Sequence, residues 1–447
     1  MTDGVNSREL VLGILLAVTK EEEYSHIALS AVLEKYQYLS KQERGFITRV
    51  TEGTLENMIE LDYIINQFSK VKVNKMKPVI RCILRMSVYQ LKYMDSVPAS
   101  AACNEAVKLA KRKGFASLKA FVNGVLRNIS RNLDTVIYPD ESKEPFKAYA
   151  VRYSIPEWMI KQWAKDYGLE RAKSIAAAFK QEGKTTIRTN LLKTTPEALR
   201  VALEQEGINV EPVELPVGMK MSETADMHYA MHISGYDYLG AIPQFNEGLF
   251  YVQDVSSMLV SQLAEPKPSD YVLDVCAAPG GKSLHMAEKL QGSGMVEARD
   301  VTGYKVDLME ENIARCGMEN MKAVQWDARI LDEEAIEKAD IVIADLPCSG
   351  LGVLRKKTDI RYRMTEEKEK NLVELQREIL SVVHKYVKPK GTLMYSTCTI
   401  DKMENEENTA WFLAQYPEFT LIFEHQIFPD EGNGDGFYIA KFKRSEK

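Results

Sequence analysis

The sequence predicts a multidomain chain. An all-α region (residues 1–140) is followed by linker helices and a small α/β module (141–240). A larger α/β domain (241–447) then carries a mostly parallel, doubly wound sheet that ends in an antiparallel hairpin. Three observations carry this reading. The chain has 447 residues, enough for two or three domains of ordinary size. Up to residue 133 apolar residues recur at helical spacing. From residue 271 onward, strand-like runs alternate with helical stretches, the pattern of a parallel sheet with crossover helices.

In the N-terminal region, Ile80, Ile83, Leu84, Val88 and Leu91 share one helical face, and Pro78 suits a first turn, so 78–94 reads as a helix. A second helix follows Pro98 over 99–113 and stops at Gly114, and a third begins at 121–126. Residues 139–145 form a charged, proline-flanked linker. Trp158, Ile160, Trp163 and Ile175 make 150–180 helical. Next come a strand at 185–190, a helix at 196–206, a strand at 210–217, and strand and loop over 227–250. In the last region strands are expected at 271–275, 294–298, 321–325, 340–344 and 391–395, with a closing pair at 420–423 and 436–441. Helices at 282–291 and 366–387 lie between them. Ligands of such sheets bind at the carboxyl ends of the strands, where the strand order reverses. The chemically loaded motifs all fall there.

Charge is unevenly placed. The whole chain carries −6, but residues 66–133 hold 14 lysines and arginines against two acids, a local +12 that leaves −18 on the remainder. Such asymmetry points to a basic face for phosphate in one region, against the plainer alternative of a solvated surface. Residues 1–9 are polar, and the apolar run 10–18 is too short to cross a bilayer, so a cytoplasmic protein with no membrane partner is expected. None of the six cysteines forms a C-x-x-C pair, which argues against a disulfide scaffold. His228 and His232 have the spacing of a helical metal pair, but Tyr229 stands where a zinc protease has glutamate and no third ligand is near. No metal is expected.

The sharpest motif is Leu273-Asp274-Val275-Cys276-Ala277-Ala278-Pro279-Gly280-Gly281-Lys282-Ser283, which follows a strand and opens a helix. Its small residues and two glycines let backbone approach a ligand closely. Neither a G-x-G-x-x-G turn nor a Walker A motif is present, which counts against dinucleotides and nucleoside triphosphates. Asp300, just past the next strand, can accept both hydroxyls of a ribose. Asp327, past the third strand, can meet an adenine amino group. Any one acid at a strand end is more simply a surface charge. Asp300, Asp327 and Asp345 at successive ends, after a glycine-rich turn, favour a nucleoside cofactor.

The string CAAPGGKS resembles that of the RNA cytosine-C5 methyltransferases, and the segment Tyr251-Val252-Gln253-Asp254-Val255-Ser256-Ser257 resembles their lead-in. The N-terminal region resembles the NusB-like RNA-binding domain. The matching residues there are Ser7-Arg8, Leu15-Leu16, Gly53-Thr54-Leu55, the run RCILRMSVYQ from Arg81, Val97-Pro98, Asn104-Glu105-Ala106-Val107 and Phe121-Val122-Asn123-Gly124-Val125-Leu126-Arg127. The combination resembles the RsmB family, also called Sun or Fmu, over nearly the whole chain. The resemblance implies a Rossmann-like class I domain that uses S-adenosylmethionine and releases S-adenosylhomocysteine. It implies that Cys276, Ala277, Ala278, Pro279, Gly280, Gly281 and Lys282 meet the methionine end, with Asp300 at ribose, Asp327 at adenine and Asp345 near the methyl donor. The implied substrate is one hairpin-loop cytosine of 16S rRNA, of the cytosine-967 type, free or in an assembling small subunit. A monomer is expected.

The chemistry explains the cysteines. C5 of cytosine is a poor nucleophile until a thiolate adds to C6. Cys348, in Asp345-Leu346-Pro347-Cys348-Ser349-Gly350, and Cys398, in Tyr395-Ser396-Thr397-Cys398-Thr399, both end strands. Enzymes resembling this chain attack with the Thr-Cys cysteine, so Cys398 is assigned as nucleophile and Cys348 as its helper in product release. Asp345 is assigned to N3 and the exocyclic amine of the base. Cys82, Cys103 and Cys316 read as buried apolar thiols. Arg355, Lys356, Lys357 and Arg361 could hold phosphates beside a flipped base, although Thr358 stands where the family usually has proline and Tyr362 where it often has tryptophan. The runs Glu404–Asn408 and Asp435–Tyr438 resemble structural segments of the family. Two alternatives stay open within RNA chemistry: another rRNA or tRNA cytosine, or a non-catalytic RNA-binding assembly factor. A DNA methyltransferase is disfavoured by the position of Cys398.

Overall fold

The computed structural model describes residues 5–181, 183–213, 227–432 and 434–446. The chain divides into two compact units. One comprises Met1–Gln181 with Leu354–Arg363, the other Glu182–Val353 with Met364–Lys447. The helices between residues 145 and 178, expected with the α/β module, cluster instead with the N-terminal ones.

The first unit is helical, as expected. Pro78 occupies the first turn of helix Pro78–Tyr93, where its missing N–H costs nothing. That helix is central: Ile80, Ile83, Leu84 and Val88 are buried against Leu12 and Leu15 of helix Ser7–Lys20, Ile64 of helix Met58–Phe68 and Leu126 of helix Lys119–Asn132. Asn6 caps the first helix, accepting from the backbone N–H groups of Arg8 and Glu9. Tyr89 lies against Gly53, and a Cβ there would come within 2.0 Å of the tyrosine ring and displace it.

Segment Leu354–Arg363 belongs to this unit and corrects one expectation. Arg361 is not offered to phosphate: it is 1% exposed, and its guanidinium donates to the carbonyls of Glu56, Ser154 and Leu354 at 3.0, 3.3 and 3.3 Å. Glu56 and Ser154 close helices Lys41–Glu56 and Pro145–Tyr153, so the buried cation compensates two helix C-termini whose last carbonyls lack partners. Tyr362 donates to Leu55 O, and buried Asp359 accepts from Ser25.

The second unit holds two sheets. The smaller is antiparallel, in the order β2 (Asn209–Pro212), β3 (Ala230–Ser234), β1 (Thr185–Thr189), β4 (Phe250–Val252), with helix Pro196–Gln205 beside it. The expected strand at 210–217 is seen to Pro212, and its part from residue 214 lies outside the described residues. His232 is on β3, on a strand rather than a helix, so its spacing from His228 does not make a helical metal pair. No group of three metal-ligating side chains occurs among the described residues. Arg188 of β1 donates to Gln253 and pairs with Glu288 of helix Gly281–Lys289, both ends of the pair buried.

The larger sheet runs β10 (Phe419–Ile427), β11 (Phe437–Arg444), β9 (Val387–Thr397), β8 (Ala339–Asp345), β5 (Tyr271–Asp274), β6 (Met295–Asp300), β7 (Met321–Gln325). Strands β9 to β7 are parallel, and β11 is antiparallel to both β9 and β10. The chain leaves β5 for β6 on one side and later returns to β8 on the other. The strand order therefore reverses between β5 and β8, which fixes where a ligand crevice opens. Helices Gly303–Cys316 and Glu406–Gln415, which the sequence pattern did not single out, complete the crossovers.

Candidate active site

The turn after β5 lies at this switch point. Asp274 ends the strand fully buried, accepting from Ser283 Oγ at 2.6 Å. Burial, reinforced by the charge of Asp345, pushes its carboxyl up to about 7. Cys276 is half-buried, and burial raises its thiol well above the ordinary range, with Asp274 and Asp300 adding to the shift. Ala277 N–H donates to Arg299 O and Gly280 N–H to Ala277 O, closing a tight loop. Gly280 has φ +102°, a conformation that favours glycine, and releases the chain into helix Gly281–Lys289. A Cβ on Gly281 would sit 3.0 Å from the Tyr251 ring. Tyr251 Oη and Asn312 Nδ2 both donate to Pro279 O, fixing the loop from outside.

Asp300 is buried beside this loop. Its Oδ2 accepts from Ala278 N–H at 3.1 Å, and its Oδ1 accepts from Val301 N–H at 2.8 Å and Lys305 Nζ at 3.0 Å. Asp327 follows β7 and is held bidentately by Arg329, which lowers its carboxyl. Val301, which follows Asp300, and Ile330, three residues after Asp327, are exposed apolar side chains. Backbone cradle, buried carboxylate and uncovered apolar side chains suit a nucleoside-bearing ligand.

Asp345 ends β8. Its Oδ2 accepts from Lys282 Nζ at 2.7 Å and its Oδ1 from Ser396 Oγ at 2.8 Å. Lys282 also donates to Ser257 and lies 5.1 Å from the Phe437 ring centroid. Thus Lys282, expected only at the cofactor, joins the turn after β5 to the end of β8. Cys348 and Cys398 come together with Sγ–Sγ 3.3 Å, both half-buried. The hydrogen bond to Cys398 is the largest cause holding the Cys348 thiol well above its ordinary range, followed by burial and then by the charges of Cys398 and Glu404. By contrast Cys82, Cys103 and Cys316 are buried, as expected.

The two cysteine turns are locked to each other. Ser349 Oγ and Thr399 Oγ1 are 2.7 Å apart, Gly352 N–H donates to Cys398 O and Gly436 N–H to Gly352 O. A Cβ on Gly352 would come within 1.9 Å of Gly436 O, so three segments meet where only glycine fits. Glu404, classed by its sequence as structural, accepts from the N–H of Ser349 at 2.9 Å. Its acidic neighbours in sequence gave no signal to separate it from a solvated run.

Comparison with known proteins follows the same three-part order. Residues 5–131 match the NusB family, 155–228 the ferredoxin-like domain of RsmF/B-like methyltransferases, and 261–443 the family described as 16S rRNA methyltransferase RsmB/F. A Bacillus subtilis protein described as a probable ribosomal RNA small subunit methyltransferase B is 36% identical, over 98% of each chain. The chain belongs to the RsmB/F family of 16S rRNA methyltransferases. A Synechocystis protein with the same description is 30% identical over 99% of this chain and 100% of its own. The crystal structure of PH0851 superimposes with a TM-score of 0.82 at 25% identity, covering 99% of both chains. A methyltransferase homologue from Pyrococcus horikoshii shares the fold over 67% of this chain and 99% of its own, with a TM-score of 0.58 at 24% identity. The helical NusB-like region, the small α/β module and the Rossmann-like domain expected from sequence are all present in this RsmB/F methyltransferase.

Proposed function

We propose that this RsmB/F methyltransferase places a methyl group on C5 of a cytosine in 16S rRNA, of the cytosine-967 type, by covalent attachment of Cys398 to C6. The observation that carries the reading is the pair of thiols 3.3 Å apart at the ends of adjacent parallel strands, with Asp345 closing the first of them. A single buried cysteine needs no such partner, whereas covalent attack and later release need two sulfur roles at one atom's reach.

S-adenosylmethionine, when bound, supplies an electrophilic methyl group. Cys276 to Lys282 would hold its methionine end, Asp300 its ribose and Asp327 its adenine. The residues of the chain do the rest. Cys398 adds as thiolate to C6, and Asp345 hydrogen-bonds N3 and the exocyclic amine, so that C5 becomes enamine-like and takes the methyl group. Lys282 and Ser396 fix the carboxylate for this task. While Cys398 is free, Cys348 is kept as a thiol. Once Cys398 is bonded to carbon, its hydrogen bond and charge no longer act on Cys348. Cys348 can then give its own proton to solvent, and its thiolate takes the C5 proton as the C5–C6 double bond re-forms and the Cys398–C6 bond breaks, Cys398 leaving as thiolate. A loop cytosine is cheap to extrude, since few stacking and pairing contacts are given up. Exposed cations Lys111, Arg112, Lys113, Lys119, Arg127 and Arg131 of the NusB-like region suit the phosphate backbone.

The test is transfer of labelled methyl from S-adenosylmethionine to 16S rRNA and to partly assembled small subunits, followed by nuclease digestion and mass spectrometry. The expected product is 5-methylcytidine at one hairpin-loop position. Label on an exocyclic amine, or only on tRNA, contradicts the proposal.

A further inference from the structure

Glu404 is a buried acid that the mechanism leaves unused. Glu404 is 0% exposed, and no ion pair reaches it among the described residues. Burial pushes its carboxyl above the usual range. Its hydrogen bonds straddle Cys348. Oε2 accepts from the backbone N–H of Ser349, the residue after Cys348, at 2.9 Å, and from Gln376 Nε2 at 2.8 Å. The same Gln376 amide nitrogen donates to the carbonyl of Pro347, the residue before Cys348, at 2.9 Å. Gln376 is itself fixed, since its Oε1 accepts from Asn408 Nδ2 at 2.7 Å. Glu404 stands six residues after Cys398, and its carbonyl accepts from Tyr395 of β9, the strand that leads to Cys398. The Glu404 carboxylate thus holds the residue after Cys348 directly and the residue before it through Gln376, from the segment that follows Cys398.

We infer that Glu404 is a positioning residue for product release: it clamps the Pro347-Cys348-Ser349 turn so that the Cys348 sulfur stays beside the Cys398 sulfur. This rests on the assignment of Cys348 to release. The clamp acts through backbone groups, so only the acceptor at Ser349 N–H is required, and an amide oxygen can supply it. Removing the acceptor leaves a buried N–H without a partner and frees the turn to swing away from Cys398. Addition by Cys398 then persists while elimination slows.

The experiment uses the full chain with S-adenosylmethionine and unmodified 16S rRNA. Denaturant-stable protein–RNA adduct and free methylated RNA are quantified separately for wild type and for Cys348→Ser, Glu404→Ala, Glu404→Asp and Glu404→Gln. Cys348→Ser is expected to accumulate adduct. Glu404→Ala and Glu404→Asp, the latter one methylene too short to reach Ser349, are expected to accumulate it too, with multiple turnover about 10²-fold lower. Glu404→Gln is expected to recover most turnover without adduct. If Glu404→Ala does not fold, as judged by its melting transition, Glu404→Asp carries the test. Adduct from Cys348→Ser with parallel loss of adduct and product in the Glu404 variants overturns the positioning role alone. No adduct from Cys348→Ser overturns the release assignment, and the positioning role with it.

Discussion

The carboxyl edge of the seven-stranded sheet has two halves of opposite construction. Past β6 and β7, Asp300 and Asp327 are followed by uncovered apolar side chains, with Val301 48%, Tyr304 73% and Ile330 59% exposed. Past β8 and β9 no comparable exposed apolar side chain follows among the described residues. Ser349, Thr399, Glu404 and Asn405 are buried, and hydrogen bonds tie the Cys348 turn to the Cys398 turn. Exposed apolar surface beside fixed polar groups suits a ligand that arrives, is covered and leaves. A closed polar network suits groups whose geometry must already be right when the reaction starts. Under the proposed function, exchange of cofactor belongs to one half and chemistry to the other. Lys282, rooted in the β5 turn and paired with Asp345, joins the two.

The largest effect should come from the chemical half. Asp345→Asn is expected to lower turnover by roughly 10²–10⁴-fold, the usual contribution of a positioned acid–base group. Calorimetry should show cofactor affinity changed far less. Equal losses in affinity and turnover would erase the division between the halves. A smaller effect belongs to the exchange half. Asp300→Ala should weaken cofactor binding about 10–100-fold, the worth of hydrogen bonds to a charged acceptor. Turnover at saturating cofactor should stay near wild type, which steady-state kinetics at several cofactor concentrations will show.

The smallest effect is on stability. Asp274 is raised to about 7 by burial, so the folded state holds its proton more tightly than the unfolded chain. The stability it contributes is complete below the ordinary carboxylate range. It is lost progressively as pH rises towards about 7, and no further loss follows above that. Asp274→Asn mimics the protonated form. The difference in Tm, variant minus wild type, should therefore grow between about pH 4 and pH 7 by on the order of a few degrees, then level off. A pH-independent difference in differential scanning fluorimetry contradicts this.

These effects also show how much the sequence makes legible. The strands, the switch-point turn and both cysteine motifs are local patterns, so period-two apolar runs and small-residue turns reveal them. Helix Gly303–Cys316 escaped notice because it buries little: Met309 and Cys316 are its fully buried residues, so its apolar stripe is thin. Arg361 reads as one more cation in a basic loop, yet it is buried on carbonyls from residues about 200 and 300 positions away in sequence. Glu404 reads as one acid in an acidic run, and only the packing of distant segments separates it from Glu406 and Glu407. The Lys282–Asp345 pair likewise joins two motifs that sequence spacing treats as independent.

The central claim is that Cys398, and not Cys348, bonds to the RNA base. It is tested most directly by incubating the protein with S-adenosylmethionine and 16S rRNA in which cytidine is replaced by 5-fluorocytidine. The fluorine cannot leave as a proton, so the adduct persists and can be digested and sequenced by mass spectrometry. A modified nucleotide on the peptide containing Cys398 is the predicted result. Attachment to Cys348, or no adduct despite demonstrated binding of both cofactor and RNA, would contradict the account.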